Sequence, residues 1–204
     1  HEISPKTSDL LVSFGERLST ALISAILTQR GLPVHFVDAR ELVKTTSQFG
    51  KAEVRFNETN ALIQSYFAAH PNEIALITGF IGSNDLGETT TLGRGGSDYS
   101  ASIFGAALSV KEIEIWTDVD GMMTADPRKV GAAFTIPSIS YAEAMELTHF
   151  GAKVIYPPSL QPAFAKNIPI RVLNTFHREF EGTIVSREVR SNPYIITGIS
   201  SIDH

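Results

Sequence analysis

Cysteine is absent from the chain, which excludes disulfides and thiolate-ligated zinc. Its six histidines are scattered, with no pair at metal-ligand spacing, so no protein-held metal site is expected. Basic clusters are missing too. Lysine and arginine number 17 against 22 acidic residues, a net charge of −5, which argues against nucleic acid as a partner. No G-x-x-x-x-G-K-[ST] run is present, so a P-loop is excluded. Nor is there a G-x-S-x-G nucleophile elbow. Asp118–Lys129 begins like a calcium loop, but it lacks a third acidic ligand and places Lys129 where a closing glutamate belongs. No signal-peptide pattern opens the sequence and no apolar run approaches a membrane span, so no membrane contact is expected. The lack of cysteine suits a reducing compartment, and the expected location is cytoplasmic.

What remains is the composition of an ordinary globular chain. Its 204 residues are 43% hydrophobic with a mean hydropathy of +0.04, enough to bury one sizeable core. Leu10, Leu11, Phe14, Leu18, Leu22, Ala25 and Ile26 recur at helical spacing and predict an amphipathic helix stopped by Gly31 and Pro33. Val34–Asp38 and Ile74–Gly79 read as strands. Between them, 44–55 reads as a loop or hairpin, and a helix capped by Asn57 runs to Ala69. A polar loop is expected over 83–90, a helix over 97–109 and a strand over 113–117. The stretch 118–137 carries Asp-Gly and Asp-Pro turn signals and reads as irregular. Further helices are expected over 141–148 and after Pro158, with late strands at 170–173 and 183–185. Helices alternating with apolar strands predict an α/β fold with a largely parallel sheet covered on both faces. Ligands of such sheets sit outside the strand carboxyl ends, here Asp38, Thr78-Gly79 and Thr117-Asp118.

The densest chemistry lies in Thr89–Ala101, "TTTLGRGGSDYSA". Its three glycines allow positive φ and close backbone approach. The helix that follows turns free N–H groups toward the same spot. Arg94 adds a planar fork suited to a carboxylate or a phosphate. A plainer reading is a glycine-rich turn whose Ser97 caps a helix. Composition alone leaves both readings open.

This segment resembles the substrate loop of aspartate kinases in the amino acid kinase family. Three further blocks resemble the same family, in its order: "LLVSFGERLST" from Leu10, "IWTDVDGMMTADPR" from Ile115 and "EAMELTHFGAKVIYPPSLQPA" from Glu143. The last two look most like the kinase half of fused aspartokinase–homoserine dehydrogenases. The resemblance implies a three-layer α/β/α sandwich, the amino acid kinase fold. It implies Arg94 as the partner of the substrate α-carboxylate and Glu16 as that of its α-ammonium, with Gly95, Gly96 and Ser97 completing the cradle. Gly15 inside a helix costs roughly 1 kcal/mol relative to alanine, which makes sense where a ligand comes close. Asp98 would orient two lysines over the transferred phosphoryl group. One is Lys153; the other belongs to a Lys-Phe-Gly-Gly turn that this sequence does not contain. Thr117, Asp118, Met123 and Arg128 would form the ATP-binding set, with Met123 standing where many relatives carry tyrosine. Magnesium would ride on the nucleotide phosphates rather than on a dedicated protein site.

Family members open with a strand before that glycine turn, so the expectation is an internal piece lacking its N-terminal strand. Residues 1–190 would be part of the kinase catalytic domain, and 191–204 a linker and the start of a truncated ACT-type regulatory domain, "ITGISSID". The implied activity transfers phosphate from ATP to the side-chain carboxylate of L-aspartate, opening lysine, threonine and methionine synthesis, in a homo-oligomer when full length. The piece alone is expected to be inactive. Two alternatives stay open: another amino acid or carbamate kinase, against which the Arg94–Glu16 pair argues, and a non-catalytic binding or oligomerisation module.

Overall fold

The computed structural model describes residues 3–149, 155–187 and 196–199. They fall into two compact units, His1–Leu108 and Ser109–His204.

The first unit opens with helix α1, Pro5–Gln29. Ser4 caps it by accepting a hydrogen bond from the Thr7 amide at 3.2 Å, and Pro5 fills the first position, where its missing N–H costs nothing. Gly31, at φ +81, ends it. The strands β1 (Val34–Val37) and β2 (Ile74–Ile77) then pair in parallel. Between them lies α2, Phe56–Ala69. The sequence places its cap at Asn57, but the helix has already begun there. Arg55 takes the cap position without a side-chain bond to the helix amides and pairs instead with Glu58 at 3.3 Å and with Asp85. The expected polar loop over 83–90 is a hairpin, β3 (Ile81–Ser83) with β4 (Thr89–Thr91). Its turn is built by Asn84, whose Oδ1 accepts from the amides of Leu86 at 3.1 Å and Glu88 at 2.9 Å, with Gly87 at φ +71. Helix α3, Gly96–Leu108, packs on α2. Val37, Val43, Ile63, Ile81, Ile103 and Phe104 form the core of this unit.

Helix α1 inverts the expected pattern. Asp9, Ser13, Thr20 and Ser24 are buried, whereas Leu18 and Leu22 are 66% and 63% exposed, and Leu10, Leu11, Phe14, Ala25 and Ile26 are exposed as well. The buried stripe is short and polar and lies on the side of α1 that meets β1 and β4; in it Asp9 accepts from the amides of Gly50 and Thr91, and Ser13 donates back to the Leu10 carbonyl of its own helix. The expectation about membrane-length runs also needs correction. By length and composition alone, α1 is long and apolar enough to cross a bilayer, because its serines, threonines and glycine interrupt the apolar run without adding charge.

The second unit carries a mixed sheet in the order β5-β7-β8-β6. β5 is Ile113–Thr117 and β6 is Ser138–Ser140; β7 is Ile170–Asn174 and β8 is Thr183–Ser186. β5 pairs with β7 and β6 with β8 in parallel, while β7 and β8 run antiparallel. The turn between them needs Gly182, at φ +67, since a Cβ there would run into the Val172 carbonyl. Helices α4 (Tyr141–His149) and α5 (Gln161–Ala165) complete the unit. Tyr141 is buried and donates its hydroxyl to the Ile168 carbonyl, and burial pushes its pKa up to about 12. Residues 196–199 lie against this unit without forming a strand: the Ile199 amide donates to the Thr124 carbonyl at 2.7 Å, and Thr197 Oγ1 to Glu143 at 2.6 Å. The expected ACT-type strand over 196–203 otherwise lies outside the described residues.

Candidate functional site

In the first unit the carboxyl ends of β1 and β2 meet the start of α3. Thr78 Oγ1 accepts from the Ala39 amide at 2.8 Å and joins the two strand ends. Gly79 then lies directly against Ser97: a Cβ at Gly79 would stand 3.2 Å from Ser97 Oγ and 3.3 Å from its Cα. Phe80 follows at φ +69, a strained backbone for an aromatic residue. It is held there by two bonds. Its amide donates to Ser100 Oγ at 2.9 Å, and its carbonyl accepts from the Leu92 amide at 2.9 Å.

Those contacts fix the glycine loop. Gly93 and Gly95 take φ +77 and +67, which only glycine adopts without strain. Gly96 touches Phe80 so closely that a Cβ would stand 2.6 Å from the ring. The loop therefore turns sharply and delivers Ser97 and Asp98 onto the first turn of α3. Because α3 starts at Gly96, Ser97 sits inside the helix and is not its cap. Arg94, at the outer bend of the loop, is exposed.

Two of the predicted site carboxylates, Asp98 on α3 and Glu16 on α1, carry no cation partner among the described residues. Asp98 is half-buried, and burial raises its pKa above the ordinary aspartate value. Glu16 is half-buried on α1, and burial raises its pKa as well. Nearby, Asp38 at the end of β1 is fully engaged. Arg40 pairs with it at 2.5 Å, and Arg17 Nε lies 3.7 Å away. Despite partial burial, these arginines hold its carboxyl below the usual range.

Composition and spacing gave no hint of the residue that joins these parts. Asp9 is 2% exposed, and its carboxylate accepts four bonds: from the Gly50 amide to both oxygens (2.9 and 3.1 Å), from the Thr91 amide at 2.9 Å and from Thr91 Oγ1 at 2.8 Å. In the sequence it reads as one more acidic residue near a helix start.

The second unit holds the other predicted set. Thr117 and Asp118 stand at the carboxyl end of β5, with Thr117 Oγ1 donating to Asp118 Oδ1 at 3.2 Å and the Thr117 carbonyl accepting from the Thr175 amide at 2.9 Å. Met123 is half-buried and bridged to Thr135. Arg128 is exposed and forked onto Asp126, Nη2 to Oδ2 at 2.8 Å and Nε to Oδ1 at 3.0 Å. The Arg128 guanidinium brings the Asp126 pKa down to about 2. Asp126 is thus a turn residue and the partner of Arg128. The sequence reading passed over a further polar cluster beside β5: Asp120 Oδ1 accepts from Asn174 Nδ2 at 2.7 Å and lies 3.1 Å from His177 Nδ1. Lys153 lies outside the described residues. No group of three or more potential metal ligands occurs among the described residues.

The sequence profile of the amino acid kinase family matches residues 1–174. The chain belongs to that family. Among curated relatives, it is 42% identical to the lysine-sensitive aspartokinase 3 of Escherichia coli (strain K12), over 93% of this chain and 42% of the relative. To the bifunctional aspartokinase/homoserine dehydrogenase of Haemophilus influenzae it is 39% identical, over 93% of this chain and 23% of that protein. The crystal structure of E. coli aspartokinase III in complex with aspartate and ADP superimposes with a TM-score of 0.90 at 40% identity, covering 96% of this chain and 44% of the other. The fold is therefore the amino acid kinase fold. The chain spans less than half the length of these relatives.

Proposed function

We propose that this chain supplies substrate recognition and phosphoryl transfer to an aspartate kinase, forming 4-phospho-L-aspartate and ADP from L-aspartate and ATP. A side-chain oxygen of aspartate attacks the γ-phosphorus, and the bond to the β,γ-bridging oxygen breaks with its electrons leaving on ADP. The attacking carboxylate is ionised at neutral pH, so no strong general base is needed. Positioning and charge neutralisation carry the reaction.

In this reading Arg94 grips the α-carboxylate in a bidentate pair and Glu16 meets the α-ammonium. Gly95, Gly96 and Ser97 turn backbone and hydroxyl donors toward the substrate, Lys153 neutralises charge on the phosphoryl oxygens, and Asp98 takes its lysine partner only once the substrates are bound. Thr117, Asp118, Met123 and Arg128 hold the nucleotide, with Arg128 exchanging Asp126 for phosphate. Magnesium arrives with ATP. The observation that carries the proposal is the glycine loop opening onto Asp98, which with Glu16 of the same unit is desolvated and has no cation partner among the described residues. A carboxylate kept half-buried without a cation is costly, and a bound ammonium or a lysine relieves that cost. The likeness to an enzyme crystallised with aspartate and ADP supports the same reading.

The test places this chain in the matching segment of the E. coli enzyme. Arg94→Ala should raise KM for L-aspartate on the order of 10- to 100-fold, the worth of a charge-assisted pair, and leave KM for ATP within about twofold. Equal changes in both constants would remove Arg94 from the substrate site.

A further inference from the structure

The two groups proposed to recognise the substrate sit on separate elements, Glu16 on α1 and Arg94 on the loop before α3. Gripping an α-amino acid at two points demands that their spacing stay fixed to within a fraction of an ångström. Helix α1 meets β4, the strand that feeds the loop, and Asp9 is the side chain on α1 that bonds to it.

Asp9 stands seven residues before Glu16, two helical turns, so both lie on one face of α1. Its carboxylate takes the amide and hydroxyl of Thr91, three residues before Arg94. It also takes the Gly50 amide. Gly50 in turn backs the loop: a Cβ on Gly93 would stand 3.1 Å from the Gly50 carbonyl. Asp9 therefore holds the loop from two sides, through β4 and through the turn behind Gly93. Its four bonds come from neutral donors, and no lysine or arginine is recorded beside it among the described residues. An ion pair does not explain the burial of this charge; a demand for acceptors at that spot does.

We propose that Asp9 is a positioning residue that locks the Gly93–Ser97 loop to α1 and so fixes the spacing between Arg94 and Glu16. Asp9 touches neither substrate nor phosphate. The second half of the claim rests on the aspartate kinase reading; the first half does not.

The experiment compares the 204-residue chain with its Asp9→Asn variant, which keeps the shape but turns an amide donor toward donors. Amide hydrogen exchange is read at Leu92 and Gly96, whose hydrogen bonds go to Phe80 and Gly93 and not to Asp9. Exchange there should speed up about tenfold or more, as expected when a buried hydrogen-bonded group is lost, while core amides such as that of Ile63 change far less. A uniform rise across the unit, or no change at Leu92 and Gly96, would reduce Asp9 to a general stabiliser and overturn the proposal. Should Asp9→Asn not fold, Thr91→Val removes only the hydroxyl bond, and the same local rise is expected on a smaller scale.

L-aspartate binding, measured alongside with Arg94→Ala as control, separates the two halves. Weaker binding in both variants supports the whole claim. If Arg94→Ala leaves binding unchanged while Asp9→Asn loosens the loop, the positioning stands and the aspartate reading falls. Weakened binding in Arg94→Ala alone, with the loop unmoved in Asp9→Asn, overturns the positioning claim.

Discussion

At the scale of residues, the candidate site is marked by carboxylates without a cation partner among the described residues. Asp98 is the sharper case, because burial alone lifts its pKa above the ordinary 3.8. The folded chain then binds more protons than the unfolded chain between 3.8 and the raised value, so stability falls as pH rises through that window. Asp98→Asn removes the penalty. The variant should melt on the order of 2 °C higher than the parent chain at pH 7, and the gap should close near pH 3, where both forms are neutral. Set into the matching segment of the E. coli enzyme, the same variant should lose phosphoryl transfer. Thermal melts at the two pH values check this; a variant less stable than the parent at pH 7 would mean that Asp98 already has a stabilising partner. Glu16 carries a raised pKa with the same sign, so L-aspartate binding should weaken on acidification as its carboxyl takes a proton.

At the scale of elements, sequence patterning identified the five α-helices and five of the eight strands of the described residues, missing β3, β4 and β6, and could not say which way α1 faces. Its leucines repeat at helical spacing, and in an isolated sequence such a stripe reads as the core side. The structure turns Ser13 inward at 0% exposure and Leu18 outward at 66%. One contact on the inward side, Asp9 to the amides of Gly50 and Thr91, is long-range, and no local pattern encodes it. The β3–β4 hairpin was hidden for a related reason. Its strands are three residues each and rich in threonine, so the turn chemistry of Asn84 is louder than they are. Gly93, Gly95 and Gly96 were legible because positive φ at two of them and the close approach of Phe80 at the third call for glycine. Asp9 was not, because its partners lie 41 and 82 residues away. The inverted helix gives a direct contrast. Leu18→Ser should cost under about 0.5 kcal/mol, as exposed positions do. Ile63→Ala, in the core of the same unit, should cost about 2–5 kcal/mol. Urea denaturation of both variants checks the order; comparable losses would place Leu18 in a buried interface.

At the scale of the molecule, each unit presents polar groups at the carboxyl ends of parallel strands, the place where open α/β sheets bind ligands. In the proposed reading the first would supply the groups for the amino acid and the second those for the nucleotide. The resemblance also implies a second lysine in a Lys-Phe-Gly-Gly turn that this sequence does not contain, so activity is best read in a longer chain. The most direct test of the whole account is therefore product formation by the chain set into the matching segment of E. coli aspartokinase 3. With ATP, L-aspartate and hydroxylamine, an acyl phosphate is trapped as its hydroxamate. The account predicts aspartyl hydroxamate in step with ADP release, dependent on L-aspartate and largely lost at sub-saturating aspartate in Arg94→Ala. A folded chimera that releases ADP without needing L-aspartate, or forms no hydroxamate, would contradict it.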